Sequence, residues 1–327
     1  MFDTDRKSNI KALVGFILVL VITTIIGSIY LFKTDQDYKN NPRHITPLMY
    51  EITKKGINNK IYLFGSMHMV DLEEFDFPDQ VMDAYNKSHY LACEFDIDNY
   101  KNNADTVEEA QKLIYTDGTK LQNHISKDLY DKIVKYFKDK NMYSEALDLM
   151  VPYAINATIS QELAKDAGLK GDGIDEHFLK KAKSDNKKII EVESYEFQSE
   201  LVLSFSEKLY EIAIEEVLDN YDEAVEEMKE MYKAWKKGDI KSLLKYSVLE
   251  STSDDANKYT EEELNLIKEY NKKMLDDRNA IMADKLVEYF EKGQDVFFMV
   301  GAGHLVGDNG IASLVKAKGY NVVQVSY

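Results

Sequence analysis

Short apolar runs alternate with helical patterns along most of the chain, and this alternation predicts an α/β fold. Six strands are predicted at 48–53, 60–64, 90–95, 188–192, 295–300 and 321–325. The turn residues between the first two runs, Lys-Lys-Gly-Ile-Asn-Asn, predict a β-hairpin. Because helical segments separate the other strands, the pattern favours a mostly parallel central sheet covered by helices on both faces.

The helical segments are those in which apolar residues recur at intervals of three and four. Helices are predicted over 78–88, within 107–150, and over 152–167, 175–183 and 309–318. Ser126 is the predicted N-cap of a helix in the second of these segments. Residues from about 195 to 290 are almost wholly helical in pattern and dense in Glu and Lys, which predicts a helical insertion with solvated, charge-paired faces.

One strongly apolar block, at residues 12–32, lies near the N-terminus and contains no charged residue. As a helix, its roughly 21 residues would span the hydrocarbon core of a bilayer, which is about 30 Å thick. Arg6, Lys7 and Lys11 precede the block, so we expect a single transmembrane helix with the N-terminus in the cytoplasm. A cleaved signal peptide is the alternative, but no small-x-small cleavage site follows the apolar run.

This interpretation places the chain at the cell membrane, with membrane lipid as the partner of its anchor and the main domain outside the cytoplasm. The expected parts are a cytoplasmic tail, the transmembrane anchor, a polar linker and an α/β domain, at residues 1–11, 12–32, 33–47 and 48–327.

Composition narrows the possible classes. The chain has 327 residues, of which 44% are hydrophobic and 30% charged, as in folded globular proteins. Its 41 basic and 58 acidic residues give a net charge of −17, which argues against a nucleic-acid binder, since neutralising phosphates needs clustered Lys and Arg. Cys93 is the only cysteine, so an internal disulfide or a Cys-rich zinc or iron–sulfur site is excluded.

Two predicted strands, far apart in the chain, end in the same motif, Gly-x-x-His, at residues 65–68 and 301–304. In open parallel sheets, ligands collect at the carboxyl ends of strands, and a glycine there permits a tight exit turn. We therefore expect His68 and His304 to meet at one edge of the sheet. The other four histidines lie on linker or helical patterns and are interpreted as surface residues: His44, His89, His124 and His177.

Acidic residues at strand ends supply the natural third component of such a site. Glu94 ends one strand and Glu193 follows another, and a carboxylate in such a position is costly to bury unless it is paired or binds a metal. Asp175 is interpreted as a helix cap, with a supporting acid as the alternative. Arg278 lies in an acid-rich helical segment, where it could simply pair with Asp276 or Asp277.

These residues together resemble the TraB/GumN (PrgY, Tiki-like) family. The resemblance rests on Leu-Phe-Gly-Ser-Met-His at 63–68, Gly-Ile-Asp at 173–175 and Gly-Ala-Gly-His-Leu-Val-Gly at 301–307, together with the carboxylate of Glu94 and the helix of Arg278. Trp235 also matches a Trp-x-x-Gly-Asp element of the family. Tyr153 stands where the family often has Trp, a change that keeps the aromatic character.

The resemblance implies an α/β domain whose two Gly-x-x-His motifs and a glutamate form the active centre, and in one branch it implies a divalent-metal-dependent peptidase. The leading hypothesis is therefore metal-assisted hydrolysis of a peptide or protein substrate. His68, Glu94 and His304 would bind Zn, Mn or Co, with Glu193 as a further candidate ligand. Glu94 acts in this scheme as a ligand or as the general base, and Arg278 as the stabiliser of the oxyanion.

Three alternatives stay open. The histidines and the glutamate could activate water without a metal. The chain could capture an extracellular peptide without cleaving it, as its resemblance to the pheromone-shutdown members of the family suggests. A haem site with one histidine as axial ligand is the third alternative.

Overall fold

A six-stranded sheet forms the centre of the computed structural model, which describes residues 43–97, 111–247 and 259–327. Its strands are β1 (Met49–Thr53), β2 (Ile61–Ser66), β3 (Tyr90–Cys93), β4 (Lys188–Glu191), β5 (Val296–Gly301) and β6 (Asn321–Gln324). They lie in the order β4-β3-β5-β2-β1-β6.

The sheet is mixed, so the prediction of a mostly parallel sheet is wrong. Strands β2, β5, β3 and β4 pair in parallel, whereas β1 pairs antiparallel with both β2 and β6. The predicted hairpin is confirmed, and the unexpected feature is the position of β6. The hairpin folds β1 back beside β2, and β6, which runs in the direction of β2, adds to the outer side of β1 instead of to a parallel neighbour.

The described residues also form helices. They are α1 (Asp79–Lys87), α2 (Lys127–Asp139), α3 (Pro152–Asp166), α4 (Ile174–Ser184), α5 (Tyr195–Leu203), α6 (Glu207–Asp219), α7 (Tyr221–Lys237), α8 (Ile240–Ser247), α9 (Glu261–Asn271), α10 (Asp277–Glu291) and α11 (Ile311–Ala317). A π-helical segment, Lys272–Asp276, joins α9 to α10, and a 3₁₀ turn, Ala302–Leu305, follows β5. Ser126 is the N-cap of α2, as predicted, because its side chain accepts a hydrogen bond from the backbone N–H of Leu129.

The core has two hydrophobic clusters. One packs on the sheet, where β5 is buried along its whole length and contributes Phe297 and Phe298. This burial on both faces explains why the sequence of β5 is a continuous apolar run instead of an alternating one. The second cluster lies among helices and includes Ile133 of α2, Ile159 of α3 and Ile214 of α6.

The structure does not test the transmembrane helix that is predicted at residues 12–32. Those residues lie outside the described ranges, and no helix within those ranges is long and apolar enough to cross a bilayer. Within the described residues, the fold is α/β, with helices and one mixed six-stranded sheet.

Candidate active site

The two Gly-x-x-His motifs leave the sheet side by side. Strands β2 and β5 are parallel neighbours, and Ser66 at the end of β2 lies opposite Gly301 at the end of β5. His68 follows β2 directly, and His304 lies in the 3₁₀ turn after β5. Adjacent parallel strands thus bring the motifs to one edge of the sheet although more than two hundred residues separate them in the chain.

Gly65 allows the two exit turns to touch. A Cβ atom at this position would lie 2.9 Å from the Cα of Ala302, which is backbone and cannot rotate away. The carbonyl oxygen of Gly65 accepts a 2.9 Å hydrogen bond from Nε1 of the buried Trp235 on α7. Helix α7 is therefore tied directly to the turn that carries His68.

Asp175 holds the imidazole of His68. Nδ1 of His68 lies 2.6 Å from Oδ2 of Asp175, and Oδ1 of Asp175 accepts a 2.8 Å hydrogen bond from the hydroxyl of Ser66. Burial lowers the pKa of His68, but the charge and the hydrogen bond of Asp175 outweigh burial, so that the pKa is raised above its usual 6.5. Asp175 therefore favours the protonated form of His68.

Gly173 brings Asp175 to this position. Gly173 is the N-cap of α4 and packs closely on the segment that follows β2. A Cβ atom at Gly173 would lie 2.2 Å from the carbonyl oxygen of His68. The backbone N–H of Ile174 donates a 2.9 Å hydrogen bond to the carbonyl of Met67. Only glycine permits this contact, which fixes the first turn of α4 against the end of β2.

A buried charge network lies beside this pair. Nη2 of Arg278 donates to Oε2 of Glu94 at 2.9 Å and to Oε2 of Glu193 at 2.8 Å, and its Nε reaches Oε1 of Glu193 at 2.9 Å. Nε2 of Gln198 donates to the same two Oε2 atoms, each at 2.8 Å. One guanidinium and one amide therefore hold two almost fully buried carboxylates together.

Glu94 is held in its ionised form. Burial raises the pKa of this carboxyl, but the charge of Arg278, together with His304, His68 and the N–H of Gly301, outweighs burial and lowers it to about 2. The N–H of Gly301 donates to Oε1 of Glu94 at 2.9 Å. Glu94 is consequently a fixed negative charge at the carboxyl ends of the central strands.

His304 is fully buried and neutral. Its Nδ1 lies 2.6 Å from Oδ1 of Asn279, and the amide nitrogen of Asn279 in turn donates to the carbonyl of Asn309 at 3.0 Å. Burial and the charge of Arg278 lower the pKa of His304 to about 3. Its Nε2 has no hydrogen-bond partner among the described residues and lies 4.0 Å from Oε1 of Glu94.

A cavity of about 500 Å³ opens over these groups. Its polar floor includes His68, Asp175, Glu94 and Arg278, and its walls are mainly apolar. His304 is not part of the lining, and its Nε2 lies 4.0 Å from Oε1 of Glu94, which is part of the lining. The volume is within the range of about 300–1,000 Å³ that is usual for small-molecule sites.

A model of the TraB/PrgY/gumN family matches residues 48–324, which is most of the chain. The chain belongs to this family. No curated protein and no solved structure matches it.

This TraB/PrgY/gumN protein brings the predicted site residues close to one another. His68, Glu94 and Arg278 line the cavity, while His304 and Glu193 lie beside them in the interior. Arg278 does not pair with its acidic neighbours in the chain, as its plainest interpretation suggested, but with the two glutamates. Most of its N–H groups therefore serve those carboxylates and the carbonyl of residue 274.

Asp175 is the partner of His68, as in the alternative of a supporting acid, and not a helix cap. The sequence interpretation missed other supporting residues. Ser66 and Asn279 stand within or next to motif residues, and that proximity was the available signal. Gln198 comes from α5, and nothing in its surroundings in the chain marks it as a bridge between two glutamates.

The expected metal ligands fit a divalent ion only in part. His304 has the arrangement of a ligand, with Nδ1 held by an amide and Nε2 available. The oxygens of Glu94 and Glu193, however, already accept hydrogen bonds from Arg278, Gln198 and a backbone N–H, and Arg278 supplies the countercharge. Across the described residues, no group of three or more His, Cys, Asp or Glu side chains is placed to hold a metal ion.

Proposed function

We propose that this protein is a hydrolase that cleaves an amide bond of a peptide bound in the cavity, with His68 as the general base. The supporting observation is the pair of His68 and Asp175 lining a cavity of about 500 Å³ beside the ionised Glu94. An imidazole whose Nδ1 is held by a carboxylate presents Nε2 as the basic nitrogen.

In the proposed reaction, Nε2 of His68 accepts a proton from a water molecule as its oxygen forms a bond to the substrate's carbonyl carbon. The C–N bond then breaks, and His68 returns the proton to the leaving amine. The products are a carboxylic acid and an amine, which become a carboxylate and an ammonium group when the acid's proton passes to the amine, so atoms and charge balance. Asp175 fixes the ring and stabilises the imidazolium that forms between the two steps.

Glu94 is not the proposed general base. A general base works best when its pKa is near the working pH, and a pKa of about 2 makes Glu94 a weak base. Its fixed negative charge instead favours the protonated His68, whose pKa it helps to raise. Arg278, which is paired with Glu94 and Glu193, keeps Glu94 ionised and in place.

The test is the cleavage of a mixed peptide library by the purified chain, followed by mass spectrometry. We expect His68→Gln and Asp175→Asn to lower the rate by roughly 10²- to 10⁴-fold, the usual contribution of general acid–base catalysis. His89→Gln is the matched control, because the side chain of His89 is 77% exposed. Equal cleavage by wild type and His68→Gln would refute the proposal.

Repeating the cleavage assay with a chelator distinguishes the acid–base mechanism from its metal-dependent alternative. Activity that survives chelation supports general base catalysis by His68 alone. Activity that chelation removes, that Zn, Mn or Co restores and that His304→Gln abolishes would instead support an ion held by His68, Glu94 and His304. The buried Nε2 of His304 is the observation in favour of that alternative.

A second candidate function is peptide capture without cleavage. The mainly apolar walls of the cavity favour it, since they can bind a peptide whatever the groups on the floor do. In that case labelled peptides would bind to wild type and to His68→Gln equally well, and they would be recovered intact.

A further inference from the structure

The residues that line the cavity also indicate which peptides it binds. We infer, on the basis of the proposed function, that it takes a bulky apolar side chain next to the bond to be cleaved and rejects an acidic one. Three properties of the lining support this: the character of its walls, the charge of its floor and the small residues of α3.

Much of the apolar wall comes from helices. Tyr153 comes from α3, Leu201 and Val202 from α5, and Met274 from the π-helical segment before Arg278. Such surfaces are favourable for an apolar side chain because both partners lose contact with water. An acidic side chain in the same place would lose its hydration and find few donors in return.

The charged residues of the cavity also disfavour an acidic side chain. Glu94, Asp175 and Glu176 line the cavity, and Arg278 is the one lysine or arginine among the described lining residues. The guanidinium of Arg278 is already shared by two buried carboxylates. A further carboxylate would therefore meet net negative charge, whereas a neutral or cationic group would not.

Two alanines on α3 leave the space for a large side chain. Ala154 and Ala157 are one helical turn apart and both line the cavity. A longer side chain at Ala157, which is half-buried, would extend into the volume that a bulky substrate residue needs. Ala157 is accordingly a residue that determines the size of the accepted side chain.

The experiment uses the purified full chain and labelled peptides of equal length that differ at one position, with Leu, Ala or Asp. Binding is measured by fluorescence anisotropy and cleavage by kcat/KM. We expect the Leu peptide to be favoured over the Asp peptide by at least about tenfold in both measurements, as for other apolar pockets.

Ala157→Leu should weaken binding of the Leu peptide about tenfold and leave the Ala peptide almost unchanged. Ala280→Leu makes the same change on an exposed part of α10 outside the cavity and should alter neither. The comparison of Leu with Asp needs no variant, so it stands even if Ala157→Leu folds poorly.

The outcomes distinguish this inference from the proposed function. Equal cleavage of Leu and Asp peptides would overturn the inference and leave the hydrolase intact. Preferential binding of the Leu peptide without any cleavage would support the inference and refute the hydrolase. An equal response of Ala157→Leu and Ala280→Leu would overturn the role of Ala157.

Discussion

Removing Arg278 should destabilise the fold in a way that depends on pH. The Arg278→Leu change leaves Glu94 and Glu193 buried side by side without their shared cation, all three side chains being 5% exposed or less. Breaking a buried ion pair from one side costs about 3–5 kcal/mol. The lowering of the pKa of Glu94 to about 2, for which Arg278 is the largest favourable cause, acts in the same direction.

The direction of this pH dependence follows from the pKa of Glu94. In the wild type, the folded-state pKa is depressed, so this stabilisation is complete above a pH of about 4.5 and is lost as the pH falls towards 2. Without Arg278, burial dominates and raises the folded-state pKa of Glu94 above its unfolded value. The variant should therefore recover stability, relative to wild type, as the pH is lowered from about 7 to about 5.

Urea denaturation at both pH values, followed by the fluorescence of the single tryptophan, Trp235, measures this effect. Arg43→Leu is the matched control, because Arg43 pairs with Asp76 at the surface and both side chains are at least half exposed. Its loss should change the unfolding midpoint little. If Arg278→Leu is as stable as Arg43→Leu at neutral pH, or loses further stability at the lower pH, the account of the buried network is wrong.

Three further predictions concern the histidines and their supports. Asp175→Asn should move the acid limb of kcat/KM to lower pH, because the carboxylate raises the pKa of His68, and the measured pH profile checks this. Gly173→Ala should lower both activity and stability, the latter by about 1–3 kcal/mol, since its Cβ would overlap the backbone of the first motif. Gly56→Ala, which is strained by its φ of +84° but meets no atom within 4 Å, should affect stability alone. Finally, the imidazole of His304 should show no NMR titration between about pH 5 and pH 8, because its pKa is depressed to about 3. A midpoint near the ordinary value of about 6.5 would contradict its burial as a neutral ring.

The pattern of apolar residues was enough to locate the strands and most helices. The hairpin of β1 and β2 and the buried run of β5 follow directly from turn residues and continuous hydrophobicity. The position of β6 beside β1 could not be read from the chain, because a helical connection indicates that a strand returns but not which neighbour it joins.

The site was predictable where a motif repeats and not where a partner comes from a distant element. His68 and His304 were recognisable from their matching strand ends, and the register of β2 and β5 explains why they come together. The contacts of Asp175 and Gln198 depend on how α4 and α5 dock on the sheet edge, which is tertiary information. The prediction of a metal site requires that the carboxylate of Glu94 can bind an ion. In the structure this carboxylate already accepts a hydrogen bond from Arg278, which comes from another element.

Hydrolysis in water enriched in heavy oxygen tests the central claim most directly. The purified wild-type chain is incubated with an apolar peptide, and the products are weighed by mass spectrometry. We predict that the new carboxylate product carries heavy oxygen from the solvent in the wild type and in His89→Gln, and that almost no labelled product forms with His68→Gln. Recovery of only intact, unlabelled peptide from the wild type, or equal labelling by His68→Gln, would contradict the account.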